Sequence, residues 1–179
     1  MTLLALGQPA FATMTSHLAG AVRDLFASYG SAVDLRTGAR PALEEGQMSM
    51  AVIGYAGKGV RGALILMTTE TAIGAWLTAA GVPDADCEDA LGEFANMLLG
   101  RLKARLLREG IAIFSTTPTT ATGTRLRLSD PPGHHAWSFF EGPGWHLNVR
   151  LEATFERDFA PNSARTVSCP PEAGDFIEL

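Results

Sequence analysis

The sequence predicts an α+β fold, an antiparallel β-sheet packed with two long helices. Two long stretches carry apolar residues at helical spacing, and apolar runs pair across glycine-bearing turns.

Met14, Leu18, Val22, Leu25, Phe26 and Tyr29 recur at helical spacing, and Gly30 follows as a stop, so residues 11–29 read as an amphipathic helix. A short strand over 32–35 and a polar loop over 36–47 come next. Apolar runs 48–55 and 60–67, joined by Ala56-Gly57-Lys58-Gly59, have the form of a hairpin. A shorter helix over 70–80 ends before Gly81-Val82-Pro83. The clearest helix runs from Cys87 to Glu109 and is closed by Gly110, with Asp84, Asp86, Glu88 and Asp89 at its front and Arg101, Lys103, Arg105 and Arg108 at its rear. That polarity suits the helix dipole. Residues 111–114 begin another strand, and 137–141 pair with 145–155 through Gly142-Pro143-Gly144. The expected order is α-β-β-β-α-α-β-β-β.

At 179 residues, 46% of them hydrophobic and 18% charged, the chain is globular in composition and suits one domain, placed over 1–160, with a Pro- and Ser-containing tail over 161–179. A net charge of −5 without a Lys/Arg cluster argues against nucleic acid. The opening segment ends in Ala10-Phe11-Ala12, which has the look of a cleavage site, but the first basic residue is Arg23 and the apolar run over 3–6 is short, so no signal peptide is expected. No stretch approaches a bilayer span. Cys87 and Cys169 show neither C-x-x-C nor zinc spacing, so a reduced, cytoplasmic, metal-free chain is the simplest expectation.

The informative stretch is Asp89-Ala-Leu-Gly-Glu93-Phe-Ala-Asn96-Met-Leu-Leu-Gly100-Arg-Leu-Lys103. At the helical repeat Asp89, Glu93, Asn96, Gly100 and Lys103 fall within about 80° of one another, opposite Leu91, Phe94, Ala95, Leu98, Leu102, Arg105 and Leu106. A polar stripe of this kind is what any surface helix shows. Two residues argue for more: Asn is a poor mid-helix choice, and Gly costs about 1 kcal/mol relative to Ala in a helix interior. An amide beside a glycine on an exposed face makes sense where another macromolecule must approach the backbone.

On these residues the chain resembles the CheC, CheX and FliY chemotaxis phosphatases, whose helical D/S-x3-E-x2-N signature is followed by a proline. Asp89, Glu93 and Asn96 fit the signature, Gly100 and Lys103 extend it as N-M-x-x-G-x-x-K, and Pro118 stands one residue closer to the asparagine than the family spacing. Ser16, Gly20 and Arg23 occupy the corresponding spacing on the first helix, so there is no second E-x2-N. One site per chain resembles the CheX branch, for which a homodimer is expected.

The resemblance implies a phosphatase acting on the aspartyl phosphate of a CheY-like response regulator. The regulator would bring its own Mg²⁺ and lysine, so this chain needs no cofactor. Asn96 would hold the attacking water and Glu93 would pair with the regulator's lysine. Asp89, Gly100 and Lys103 would contact the partner, and Pro118 would support a strand end or loop. The rival expectation is a non-catalytic module that binds a receiver or a flagellar-switch component; a third is a structural domain whose business is its dimer.

Other motifs fall away. Gly54-Tyr-Ala-Gly57-Lys58-Gly59 has Val52 where a phosphate loop needs its first glycine and Gly59 where it needs Ser or Thr, so a hairpin turn is expected. His134 and His135 read as surface loop residues and His146 as a strand residue, without a convergent metal cluster. The hydroxyls of Ser115, Thr116, Thr117, Thr119, Thr120 and Thr122 read as a strand edge, and Trp76, Trp137 and Trp145 as core or partner-facing residues.

Overall fold

The computed structural model describes residues 7–36, 47–79, 81–124, 126–130, 132–157 and 159. Along the chain the elements are α1 (Gln8–Ser28), β1 (Asp34–Arg36), β2 (Gln47–Gly57), β3 (Val60–Thr69), α2 (Glu70–Ala79), α3 (Cys87–Arg108), β4 (Ile113–Ser115), β5 (Thr119–Thr124), β6 (His134–Gly142) and β7 (Trp145–Phe155). The fold is α+β, and every strand pairing is antiparallel. The order across the sheet is β1-β6-β7-β3-β2-β4, with β5 also on β2. Two like halves result, α1 to β3 and α3 to β7, the second with its first strand divided into β4 and β5, and each half gives its edge strand to the other half's hairpin.

Local chemistry sets the helix ends. Asp86 caps α3, its Oδ1 accepting from the backbone N–H of Glu88 at 2.9 Å and of Asp89 at 3.0 Å. α1 begins after Gly7 without a side-chain cap and has a proline in its first turn. Both long helices stop at a residue in the left-handed region, Gly30 at φ 71° and Gly110 at φ 74°, which a side chain would strain. The next N–H turns back in both, from Ser31 to the Phe26 carbonyl at 3.0 Å and from Ile111 to that of Leu106 at 2.9 Å.

Period-two alternation decides which sheet face is covered. In β7, Trp145, Leu147, Val149, Leu151, Ala153 and Phe155 turn toward the helices and join the main core with Leu18, Leu25, Leu64, Leu66, Leu98 and Leu102. Trimming Leu98 to Ala in so closed a core costs roughly 2–5 kcal/mol. On the other face Met48, Ile65 and Met67 form a smaller cluster with Leu126, Leu128 and Trp137. α1 and α3 run antiparallel along a seam where Arg105 pairs with Asp24, and His17 meets Glu109 at 3.1 Å.

Some expectations are corrected. The order has one more strand, because the stretch after α3 divides. Tyr55 pairs with Ser115 and Val52 with Thr119, so two residues of β2 face three on the other side, a β-bulge holding Pro118. Thr116 closes the gap: its N–H donates to the Gly54 carbonyl at 2.9 Å, and its hydroxyl accepts from the Gly54 N–H at 3.0 Å. His134 and His135 open β6 instead of lying in a loop, and His134 is buried, stacked on Phe11 at 5.2 Å, because the ladder with Ala153 and Glu152 extends the strand. Tyr29, placed on the apolar stripe, caps α1 and is exposed. The opening run, the loop over 37–46, Cys169 and the tail over 161–179 lie outside the described residues.

Candidate functional site

α3 presents the strip. Its first turn is fixed by Asp86 and its apolar side by Leu91, Phe94, Ala95, Leu98, Leu102 and Leu106, all buried. With that side held against the sheet, Asp89, Glu93, Asn96, Gly100 and Lys103 are all exposed. They span ~21 Å of helix at 1.5 Å per residue. Two carboxylates occupy the N-terminal end and an ammonium the C-terminal end. Gly92 and Leu99 are buried beyond the expected set, while Arg105 is half-buried and paired with Asp24.

Glu93 and Asn96 are one turn apart, with Asn96 Nδ2 donating to Glu93 Oε2 at 3.5 Å. That is the outer limit of a hydrogen bond, so the amide keeps nearly all its capacity to donate and accept. A Cβ placed on Gly100 would meet nothing within 4 Å among the described residues, which leave the backbone bare one turn beyond Asn96.

Both flanks of the strip are built. On one side the bulge approaches α3, and a Cβ on Gly92 would lie 3.4 Å from Thr120 and 3.8 Å from Pro118. Farther along that side Lys103 Nζ stands 5.6 Å from the ring of Phe114, which is 72% exposed. On the other side the Tyr29 hydroxyl donates to Met97 Sδ at 3.4 Å and Arg101 to the Ser28 hydroxyl at 3.1 Å, tying the end of α1 to α3. Between this end, α2 and α3 lies an apolar cavity that reaches Glu93.

Phe114 and this cavity were missed by sequence reasoning. Phe114 sits in a strand of three residues, too short for a period to show. The cavity is assembled from three separate segments, and only its aromatic content was visible in the sequence. Of the tryptophans, Trp145 is buried and stacks on Phe26 at 4.3 Å, whereas Trp76 is half-buried beside Phe94. The phosphate-loop look-alike is the β2–β3 hairpin turn. Among the described residues no group of three or more His, Cys, Asp or Glu is placed to hold a metal ion, and no helix is long and apolar enough to cross a membrane.

The fold and site define an α+β domain of two like halves that bares a carboxylate and an amide together on one long helix. The model of the family described as chemotaxis phosphatase CheX matches residues 49–140, more than half of the chain and including Glu93, Asn96 and Pro118. The chain belongs to the CheX family. Solved structures share the fold. Chemotaxis protein CheX from Vibrio vulnificus is 17% identical with a TM-score of 0.67, the match covering 78% of this chain and 95% of that one. A chemotaxis protein CheX from Desulfovibrio desulfuricans is 20% identical with a TM-score of 0.65, covering 77% and 97%. A third structure, at 16% identity and a TM-score of 0.63 and covering 80% and 96%, is a CheX-CheY-BeF3-Mg complex from Borrelia burgdorferi. No curated protein matches the chain.

Proposed function

We propose that this chain hydrolyses the aspartyl phosphate of a CheY-like response regulator, with Glu93 and Asn96 as its working side chains. The observation that carries the reading is their joint exposure on the bare strip of α3, within 3.5 Å of one another and beside an open Gly100. Family membership supports it, as does the likeness to a CheX structure in complex with CheY.

A phosphorylated receiver presents a phosphoryl group, a divalent cation and a cationic side chain, but no ordered nucleophile. Phosphoryl transfer is governed by positioning, so the missing part is a water in line with the scissile P–O bond. The Asn96 amide donates through Nδ2 and accepts through Oδ1, which suffices to hold a water in one orientation. The water's oxygen forms the new bond to phosphorus as the P–O bond to the aspartate breaks, releasing the carboxylate and inorganic phosphate. Glu93 pairs with the receiver's cation and sets the docking register. Asp89 and Lys103 contact the receiver at the two ends of the strip, Gly100 lets its backbone come close, and Pro118 shapes the bulge beside it. Mg²⁺ belongs to the receiver, and each protomer of a homodimer carries one such site.

The test is decay of a phosphorylated receiver with Mg²⁺ present, with and without this protein, repeated with Asn96→Ala. Acceleration that disappears in the variant is expected. Receiver binding without any acceleration would replace the enzyme with an adaptor.

A further inference from the structure

Among the described residues three large apolar side chains are exposed, and all three border the strip: Phe114 beside Lys103, and Tyr29 and Val82, 40% and 51% exposed, on the rim of the cavity that Glu93 lines. Apolar groups gathered around a polar strip mark an interaction surface more specifically than scattered ones.

The cavity has a volume of about 190 Å³. A dry apolar cavity of about 150 Å³ holds one benzene ring, so this one has room for a single aromatic side chain. Its wall is aromatic: Phe26, Trp76 and Phe94 lie with ring centroids 5.1 to 5.5 Å apart, a surface that favours a further ring.

We infer that the receiver docked on α3 anchors itself by inserting one aromatic side chain into this cavity, its ring packed against Phe26, Trp76 and Phe94. The inference rests on the receiver-docking reading and names its anchor. The cavity is continuous with the docking strip through Glu93, so a side chain seated there draws its own chain against Glu93, one turn from Asn96. Buried aromatic anchors next to polar contacts are the usual energetic centre of such interfaces.

Two filled variants test it. Ala90→Phe occupies the cavity from α3, and Ala79→Trp blocks it from an exposed position on α2 where folding is not at stake. Binding of the CheY-type receivers of the same genome, each loaded with beryllofluoride and Mg²⁺, is measured by calorimetry alongside thermal melts. The expected result is Kd at least tenfold weaker for Ala79→Trp and for folded Ala90→Phe, and within twofold of the unaltered chain for Ser16→Ala on α1. If Ala90→Phe does not fold, Ala79→Trp decides alone. Binding within twofold by the filled variants would overturn the anchor while leaving the phosphatase reading intact, and would assign the cavity to a small molecule or a second copy. An unaltered chain that binds no receiver would overturn both.

Discussion

Matched at their closing glycines, Gly30 and Gly110, the two long helices share one buried stripe and differ on the exposed one. Phe11, Met14, Leu18, Val22 and Phe26 of α1 correspond to Leu91, Phe94, Leu98, Leu102 and Leu106 of α3, and all ten are buried. In the same register Thr13, Ser16, Gly20 and Arg23 stand where α3 has Glu93, Asn96, Gly100 and Lys103. Gly20 is therefore the counterpart of Gly100, although spacing alone set it against Glu93. The surroundings differ too: a Cβ on Gly20 would meet Arg105 Nη1 at 2.8 Å, whereas one on Gly100 would meet none of the described residues within 4 Å. One scaffold is used twice; the chain covers its own glycine on α1 and leaves the other open. Packing requirements keep the core stripe apolar in both, and the free surface is where the two helices diverge.

Removing the amide separates the two helices most strongly. Asn96→Ala is expected to slow receiver dephosphorylation about a hundredfold or more, a typical loss for one preorganised polar group, while Ser16→Ala at the matching place leaves it unchanged. Equal decay rates for the two variants would end the distinction.

The helix starts differ as well. Asp86→Ala removes the cap of α3 and is expected to lower stability by about 1 kcal/mol in urea unfolding; α1 has no such side-chain bond to lose. An unchanged midpoint would mean that packing alone fixes the start of α3.

Gly100→Ala should raise stability by about 1 kcal/mol, or ~2–4 °C in Tm, while weakening receiver binding. Gly20→Ala should gain less, because the new methyl displaces Arg105 from its pairing with Asp24, a surface contact worth about 0–1 kcal/mol. Equal melting shifts would show that the cover on Gly20 has no energetic consequence.

The smallest effect is a slope against pH, at the join between the halves. The Tyr55 hydroxyl of β2 donates to the Glu152 carbonyl of β7 at 2.6 Å, reaching past Gly62, where a Cβ would lie 2.7 Å from it. Burial, then the Glu152 carboxylate, holds this phenol well above its ordinary range. Because the folded value is raised, the contribution is fully present below the unfolded pKa of about 10 and is lost as pH rises beyond it. Tyr55→Phe is expected to cost on the order of 1 kcal/mol at neutral pH and to flatten the alkaline loss of stability; parallel curves would contradict this.

The sequence made legible what depends on local period and punctuation. α3, its strip and the glycine stops of both long helices follow from apolar spacing and from residues that tolerate the left-handed region. The division of β4 from β5 did not, because it arises from Thr116 taking over a ladder bond opposite Gly54, which no run of threonines around Pro118 reveals. His134 misled for the opposite reason: Asp130-Pro131-Pro132-Gly133 announces a turn, yet pairing with Ala153 carries the strand back to the residue right after it. On the strip, Glu93, Asn96, Gly100 and Lys103 were readable because one helix presents them all. Phe114 and the cavity belong to tertiary neighbours far apart in the chain.

The exchange of edge strands bears on how the molecule could come apart. Among the described residues β1 finds its ladder only on β6, and β4 and β5 find theirs only on β2. A cut in the link over 81–85 would therefore not release two free-standing modules, since each fragment would carry a strand whose backbone groups are satisfied only by the other. The fragments would be clasped from three sides, and a protease that nicks this link would leave a two-piece protein still holding its helix in place.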